Sequence, residues 1–307
     1  MPTYRWLTIP MLTAALIPTL SGETRCPGNV ASVPLRHVNR YQMIVQVSVN
    51  HSGPQDFLLD TGAQMTILDT SFATDLGLGT AGAAIVEGVG FHEAASTTNL
   101  DELAVGVHAV RSQRVVISDL TRLKETGLPI SGILGEDFLE HFDMLIDNRH
   151  AQLCLDDTGE ISLEMKGERI PYQTSTDTSA GSRPAKLLIM SARFYNGRRP
   201  VRLMLDSGSN SPFLYGPAEY LALGLIEGAS WHGSGANGQQ QAFVALPPQD
   251  LKISGIEMSK VPFLTLRSEQ KGSRSHPASY DGLLPTGFFS SVFLSHDGEF
   301  AVLEPKY

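Results

Sequence analysis

Two stretches of this 307-residue chain repeat each other. Asn50-His51-Ser52-Gly53-Pro54-Gln55-Asp56-Phe57-Leu58-Leu59-Asp60-Thr61-Gly62-Ala63 is echoed 146 positions later by Asn196-Gly197-Arg198-Arg199-Pro200-Val201-Arg202-Leu203-Met204-Leu205-Asp206-Ser207-Gly208-Ser209. Leu76-Gly77-Leu78 returns as Leu223-Gly224-Leu225 at a spacing of 147, and Gly132-Ile133-Leu134 as Gly282-Leu283-Leu284 at 150. The last spacing continues through Phe138 and Phe288, Asp147 and Asp297, and Leu153 and Leu303. Matches in one order with a slowly growing offset point to internal duplication with a few insertions in the second copy. A chain of this length accommodates two domains of about 120 to 150 residues. Each copy is therefore expected to be one lobe, over 35–156 and 185–305, with 157–184 as a linker rich in Ser, Thr, Gly and Asp.

Within each copy the pattern is that of strands. Tyr41 to Asn50 alternates apolar and polar residues, a turn is expected at His51 to Pro54, and the apolar run Phe57-Leu58-Leu59 ends at Asp60. Leu187 to Asn196, a turn at Gly197 and Val201 to Leu205 follow the same plan. Ser71 to Leu76 and Ala218 to Leu223 predict short helices stopped by glycine. One more strand is expected at Glu160 to Met165. The fold class is all-β, two lobes with small helices.

Asp-Thr-Gly alone is a common turn composition. Here each triplet follows an apolar strand, occurs once per copy and precedes a matched Gly-Ile-Leu or Gly-Leu-Leu element. Leu58 to Gly62, Met204 to Gly208 and Ile133-Leu134-Gly135 together resemble the motifs of the pepsin and retroviral aspartic peptidase family. Asp-Thr-Gly-Ala at Asp60 to Ala63 is similar to the retroviral branch, whose single lobes dimerise, so this chain resembles two such lobes fused. The resemblance implies a polypeptide substrate, catalytic Asp60 and Asp206, supporting loops at Thr61, Gly62, Ser207 and Gly208, and a monomer whose lobes act as a pseudo-dimer. It also implies that the hydroxyls of Thr61 and Ser207 lock the two loops together. Ile133, Leu134, Gly135, Leu283 and Leu284 would pack behind the pair. Two carboxylates about 3 Å apart cannot both ionise, so one keeps a proton while the other activates water.

Glycine-bracketed stretches around Gly88 and Gly90, and around Gly233 and Gly235, lie at matching distances beyond the two aspartates. They are read as flaps over a cleft, with ordinary surface hairpins as the alternative. Three departures from the family stand beside these matches. Pro285 occupies the place of Gly135 in the second copy, neither flap holds a tyrosine, and no propeptide is evident. Pro285 lacks a backbone donor, and it is expected to distort the support behind Asp206. A catalytically silent peptide-binding module and a narrow processing peptidase are therefore carried beside the general endopeptidase.

The net charge of −9 and the absence of basic clusters beyond Arg198-Arg199 argue against nucleic acid as a partner. No cofactor is expected. Nine histidines without an HExxH motif argue against a metal site, and Ser295-His296-Asp297 on a strand would point to opposite faces, not form a relay. Gly77 to Gly82 and Gly233 to Gly238 fit GxGxxG but open no helix after a strand. Residues 1–25 carry an apolar run followed by Ser21 and Gly22, which predicts a signal peptide or an N-terminal anchor, and export to the periplasm or outside the cell. In an oxidising compartment Cys26 and Cys154, the only cysteines, can pair; otherwise Cys154 is a buried strand residue and Cys26 a free thiol.

Overall fold

The apolar run Phe57-Leu58-Leu59 closes the strand Ser52–Leu59, whose three last residues are buried. It pairs with Gln42–Val49 through a tight turn in which Asn50 and His51 both have positive φ (48° and 65°). Two left-handed residues match the twist of a two-residue hairpin. The strand therefore resumes at Ser52, earlier than the sequence pattern suggested. The Asn50 carboxamide holds the corner, accepting from the backbone of Asp101 (2.9 Å) and Glu102 (3.1 Å).

The computed structural model describes residues 26–89, 91–173, 186–217, 230–234, 240–266 and 279–306. Among these, three sheets carry the fold. An eight-stranded sheet is drawn from the first half, a nine-stranded one from the second. Each has the same centre. Ser52–Leu59 runs parallel to Gly132–Leu134, which pairs antiparallel with Ile67–Asp69. Val201–Asp206 runs parallel to Gly282–Pro285, which pairs antiparallel with Phe213–Leu214. The third sheet has six strands and takes them from both halves, with Asp143–Asp147 antiparallel to Phe289–Ser295 at its middle. Ser32–Pro34, before the expected start of the first lobe, is one of its edges. One apolar cluster runs through both halves, from Phe57, Leu59 and Phe138 to Phe194, Leu205 and Phe289, all at most 1% exposed.

The helix at Thr70–Asp75 forms as expected, capped by the Asp69 carboxylate on Ser71 N and followed by Gly77 at φ +67°. Ala218 to Leu223 and the second Leu-Gly-Leu lie outside the described residues, as do residues 1–25. The strand expected at Glu160 to Met165 is instead a helix, Glu160–Glu164. Its cause is Asp156, whose carboxylate accepts from Thr158 N (2.8 Å) and Ile161 N (2.7 Å) and so starts a helical turn. Ile161 is then buried and Leu163 86% exposed, where a strand would put both on one face. The expected linker is described as far as 173, and this part is folded. Ile170–Pro171 pairs with Phe300–Pro305, and Gln173 bridges to Ile189.

Cys26 and Cys154 form a disulfide, packed among Leu145, Ile161, Phe293 and Val302. It spans 128 residues, and closing so long a loop restricts the unfolded chain strongly. The double variant Cys26→Ala/Cys154→Ala is expected to lose about 2–5 kcal/mol. A lower guanidinium midpoint, with a steeper slope from the more expanded unfolded chain, would register this, and an unchanged midpoint would deny it.

Candidate active site

The two Asp loops meet at the junction of the lobes. Asp60 N donates to Leu134 O (3.0 Å), which ties the first loop to the strand behind it. Thr61 Oγ1 then donates to Leu205 O (2.9 Å) and accepts from Ser207 N (3.0 Å). Ser207 Oγ reciprocates, donating to Leu59 O (2.8 Å) and accepting from Thr61 N (3.0 Å). Both hydroxyl residues are fully buried, so each bond replaces water that cannot reach it. Four bonds across 144 to 148 residues of chain hold the loops face to face.

The glycines permit the approach. A Cβ on Gly62 would lie 2.8 Å from Asp206 Cγ, and one on Gly208 would lie 2.3 Å from Asp60 Cγ. Each aspartate thus rests on the other loop's glycine, which sets the two carboxyls beside each other. Backbone donors fix their inner oxygens. Gly62 N (2.9 Å) and Ala63 N (3.1 Å) donate to Asp60 Oδ1, and Ser209 N (2.9 Å) donates to Asp206 Oδ1.

Residues 45–138 match the family model described as aspartyl protease. The chain is similar in fold to an aspartic proteinase from Irpex lacteus, with a TM-score of 0.51 at 10% identity, covering 90% of this chain and 97% of that one. A retropepsin-like aspartic protease from Rickettsia conorii matches at 17% identity over 41% of this chain and 92% of its own, with a TM-score of 0.32. No curated protein matches this sequence. The family match is thus carried by residues 45–138, and the fold of nearly the whole chain is that of an aspartic proteinase.

In this aspartic peptidase fold, burial pushes both carboxyls up from the ordinary range. Asp60 is raised by burial, against the donors of Gly62 and Ala63. Asp206, 7% exposed, is raised well above by burial and then by the charge of Asp60. A site that holds one proton between two acids can take a proton and give one in the same step.

Ile133 and Leu134 lie behind the first loop and Leu283 and Leu284 behind the second, all buried. Gly135 N donates to Thr66 Oγ1 (3.2 Å), and a Cβ there would strike Met65 C at 2.7 Å. The distortion expected from Pro285 is not found. Its strand stays paired to the last position, Asp206 opposite Pro285. The reason is a second proline. Phe213 pairs with Leu283 as Ile67 pairs with Ile133, so Pro212 stands where Thr66 does. The donor lost at Pro285 and the hydroxyl lost at Pro212 are the two ends of one missing bond, and neither end is orphaned.

Gly82–Gly88 and Phe91–Val105 form a long hairpin with Gly88 opposite Phe91, and Gly90 lies outside the described residues. Val89 at its tip packs against the apolar cluster of the second half around Ile189, Met204, Phe213 and Leu283. Ser230–Ser234 and Gln240–Ala245 form the matching hairpin, with Gly233 opposite Gln241 and Gly235 outside the described residues. His296 takes no part in a relay. Its ring contacts Glu136 Oε2 (3.1 Å) and Phe142 O (2.6 Å). Among the described residues no three of His, Cys, Asp and Glu gather as a metal site. Tyr215 escaped the sequence reading. Its buried phenol bonds Tyr280 and feels the charge of Asp206, and both burial and these neighbours raise it. Its repeat partner is Asp69, so no shared motif marks it.

Proposed function

We propose that this chain is an endopeptidase that hydrolyses polypeptides in a cleft between its lobes, using a water held by Asp60 and Asp206. The observation that carries the reading is that these two carboxyls, far apart in sequence, each rest on the glycine of the other's loop. The ionised member takes a proton from the water as its oxygen bonds to the scissile carbonyl carbon. The protonated member gives its proton to the carbonyl oxygen. The resulting diol collapses when its C–N bond breaks, the amine leaving with a proton. The pair titrates as a unit, so acid and base are not assigned separately.

The hairpin ending at Val89 would act as a flap, opening for substrate and closing to exclude water. The lobes would act as a pseudo-dimer within a monomer, and duplication of one ancestral lobe would account for the shared sheet centres. Export is favoured by the apolar N-terminal run together with the Cys26–Cys154 disulfide.

The test is cleavage of a mixed peptide library between about pH 3 and 7 by a chain that keeps Cys26 and its disulfide to Cys154, with and without a statine-type inhibitor. Cleavage that the inhibitor blocks supports the reading. Tight peptide binding without turnover would make the chain a silent binding module, and cleavage of one protein only would make it a processing peptidase. Ala63 stands where the pepsin branch has a hydroxyl, so one donor near the pair is missing and the optimum is expected nearer neutral. A pH–rate profile that peaks below about pH 3 would exclude this.

A further inference from the structure

The strand Gln42–Val49 opens with an amide among apolar residues, and that amide is 7% exposed. Gln42 Nε2 donates to the Gly208 carbonyl (2.6 Å), across 166 residues of chain. Its Oε1 accepts from Asn39 Nδ2 (2.6 Å), which fixes which end of the amide faces the loop. The same corner of the first lobe makes two more contacts with the second half. Arg40 N donates to Asn210 Oδ1 (3.2 Å), and the Tyr41 ring lies 4.6 Å from that of Phe288.

The carbonyl of Gly208 and the N–H of Ser209 belong to one planar peptide group. That N–H is the donor to Asp206 Oδ1. Anchoring the carbonyl fixes where the N–H points, and a hydrogen bond accepted at C=O polarises the amide and strengthens its donation. We propose that Gln42 is a positioning residue for Asp206, acting through the Gly208–Ser209 peptide. This rests on the reading of Asp60 and Asp206 as the catalytic pair. The first loop is built differently. The sheet register puts Leu187 where Gln42 stands, and its side chain has no donor to offer the matching Gly62 carbonyl. The two aspartates are thus held unequally, although their local sequences are nearly the same.

The titratable groups facing Asp206 are Asp60 and Tyr215, and the charged group on the Gln42 corner is Arg40, stacked over Tyr41 at 5.1 Å. Gln42→Met keeps the length and removes the donor. It is expected to lower kcat about tenfold with KM within about twofold. The Asp206 carboxyl, followed by carbon NMR, is expected to titrate higher, because a donor to its ionised form is weakened. Gln42→Glu separates positioning from packing. A protonated Glu donates to the Gly208 carbonyl and an ionised one repels it, so kcat should approach wild type on the acidic side of that ionisation and fall to the Gln42→Met level above it. An unmoved Asp206 titration in Gln42→Met, or a Gln42→Glu deficit equal at every pH, would overturn the proposal. If the wild type cleaves nothing, the peptidase reading fails, and the carboxyl titration still decides the role of Gln42.

Discussion

Asp206→Asn is expected to reduce kcat/KM by about 10³-fold or more while leaving the protein folded, and Asp60→Asn to do the same. The asparagine can still accept from Ser209 N and reach Asp60, so the loop geometry survives. What disappears is the second titrating oxygen, and with it the simultaneous removal of one proton and supply of another. The stability of the variant carries a second expectation with a definite sign. The Asp206 carboxyl titrates higher in the folded protein than in an unfolded chain, because burial and the Asp60 charge oppose its ionisation. The folded state therefore binds more protons than the unfolded state over that window. The contribution of this carboxyl to stability is greatest below the ordinary carboxylate range and falls as pH rises toward the folded value. An asparagine does not ionise and escapes this loss. Asp206→Asn should then match wild type near pH 4 and exceed it near pH 7 in guanidinium midpoint. A variant less stable than wild type at neutral pH would show that the charged carboxylate supports the fold, and would contradict the opposition of burial and the Asp60 charge to its ionisation.

The aspartates and the strands that deliver them were legible because their signals are local and occur twice. An apolar run that ends at Asp-Thr-Gly or Asp-Ser-Gly needs no distant partner to be recognised. The six-stranded sheet was not legible. Nothing in Met144-Leu145-Ile146 says that it pairs with Val292-Phe293-Leu294 from the other half. The helix at Glu160–Glu164 was misread because its start depends on the Asp156 side chain, while the alternating Ile161, Leu163 and Met165 imitate a strand. Pro285 looked like damage when compared with Gly135 alone. Its compensation, Pro212, becomes visible only when the sheet register places the two side by side. Gln42 carried no signal either, since the carbonyl it holds lies in the other lobe.

Gly208→Ala should be the most damaging single-atom-scale change outside the aspartates, costing about 10²-fold or more in kcat/KM. An added Cβ at 2.3 Å from Asp60 Cγ, 2.4 Å from its Oδ2 and 2.5 Å from its Oδ1 cannot be accommodated where the carboxyl now sits. Asp60 has little freedom to yield. Its Oδ1 is held by Gly62 N and Ala63 N, and its own N by Leu134 O. Either the carboxyl swings away from those donors, or the loops separate against the four bonds of Thr61 and Ser207. The first course misplaces a reacting group by about an ångström, and the second strains the lobe junction by about 1–3 kcal/mol. Gly62→Ala meets Asp206 at 2.8 to 3.0 Å, a smaller intrusion, and should be the milder of the two. The two courses differ in their readout. A displaced carboxyl lowers kcat and moves the pH profile while the unfolding midpoint holds, whereas separated loops lower the midpoint as well. If Gly208→Ala retains wild-type turnover, Asp60 does not sit against Gly208 during catalysis, and the reciprocal packing of aspartate on glycine is not the working geometry of the site.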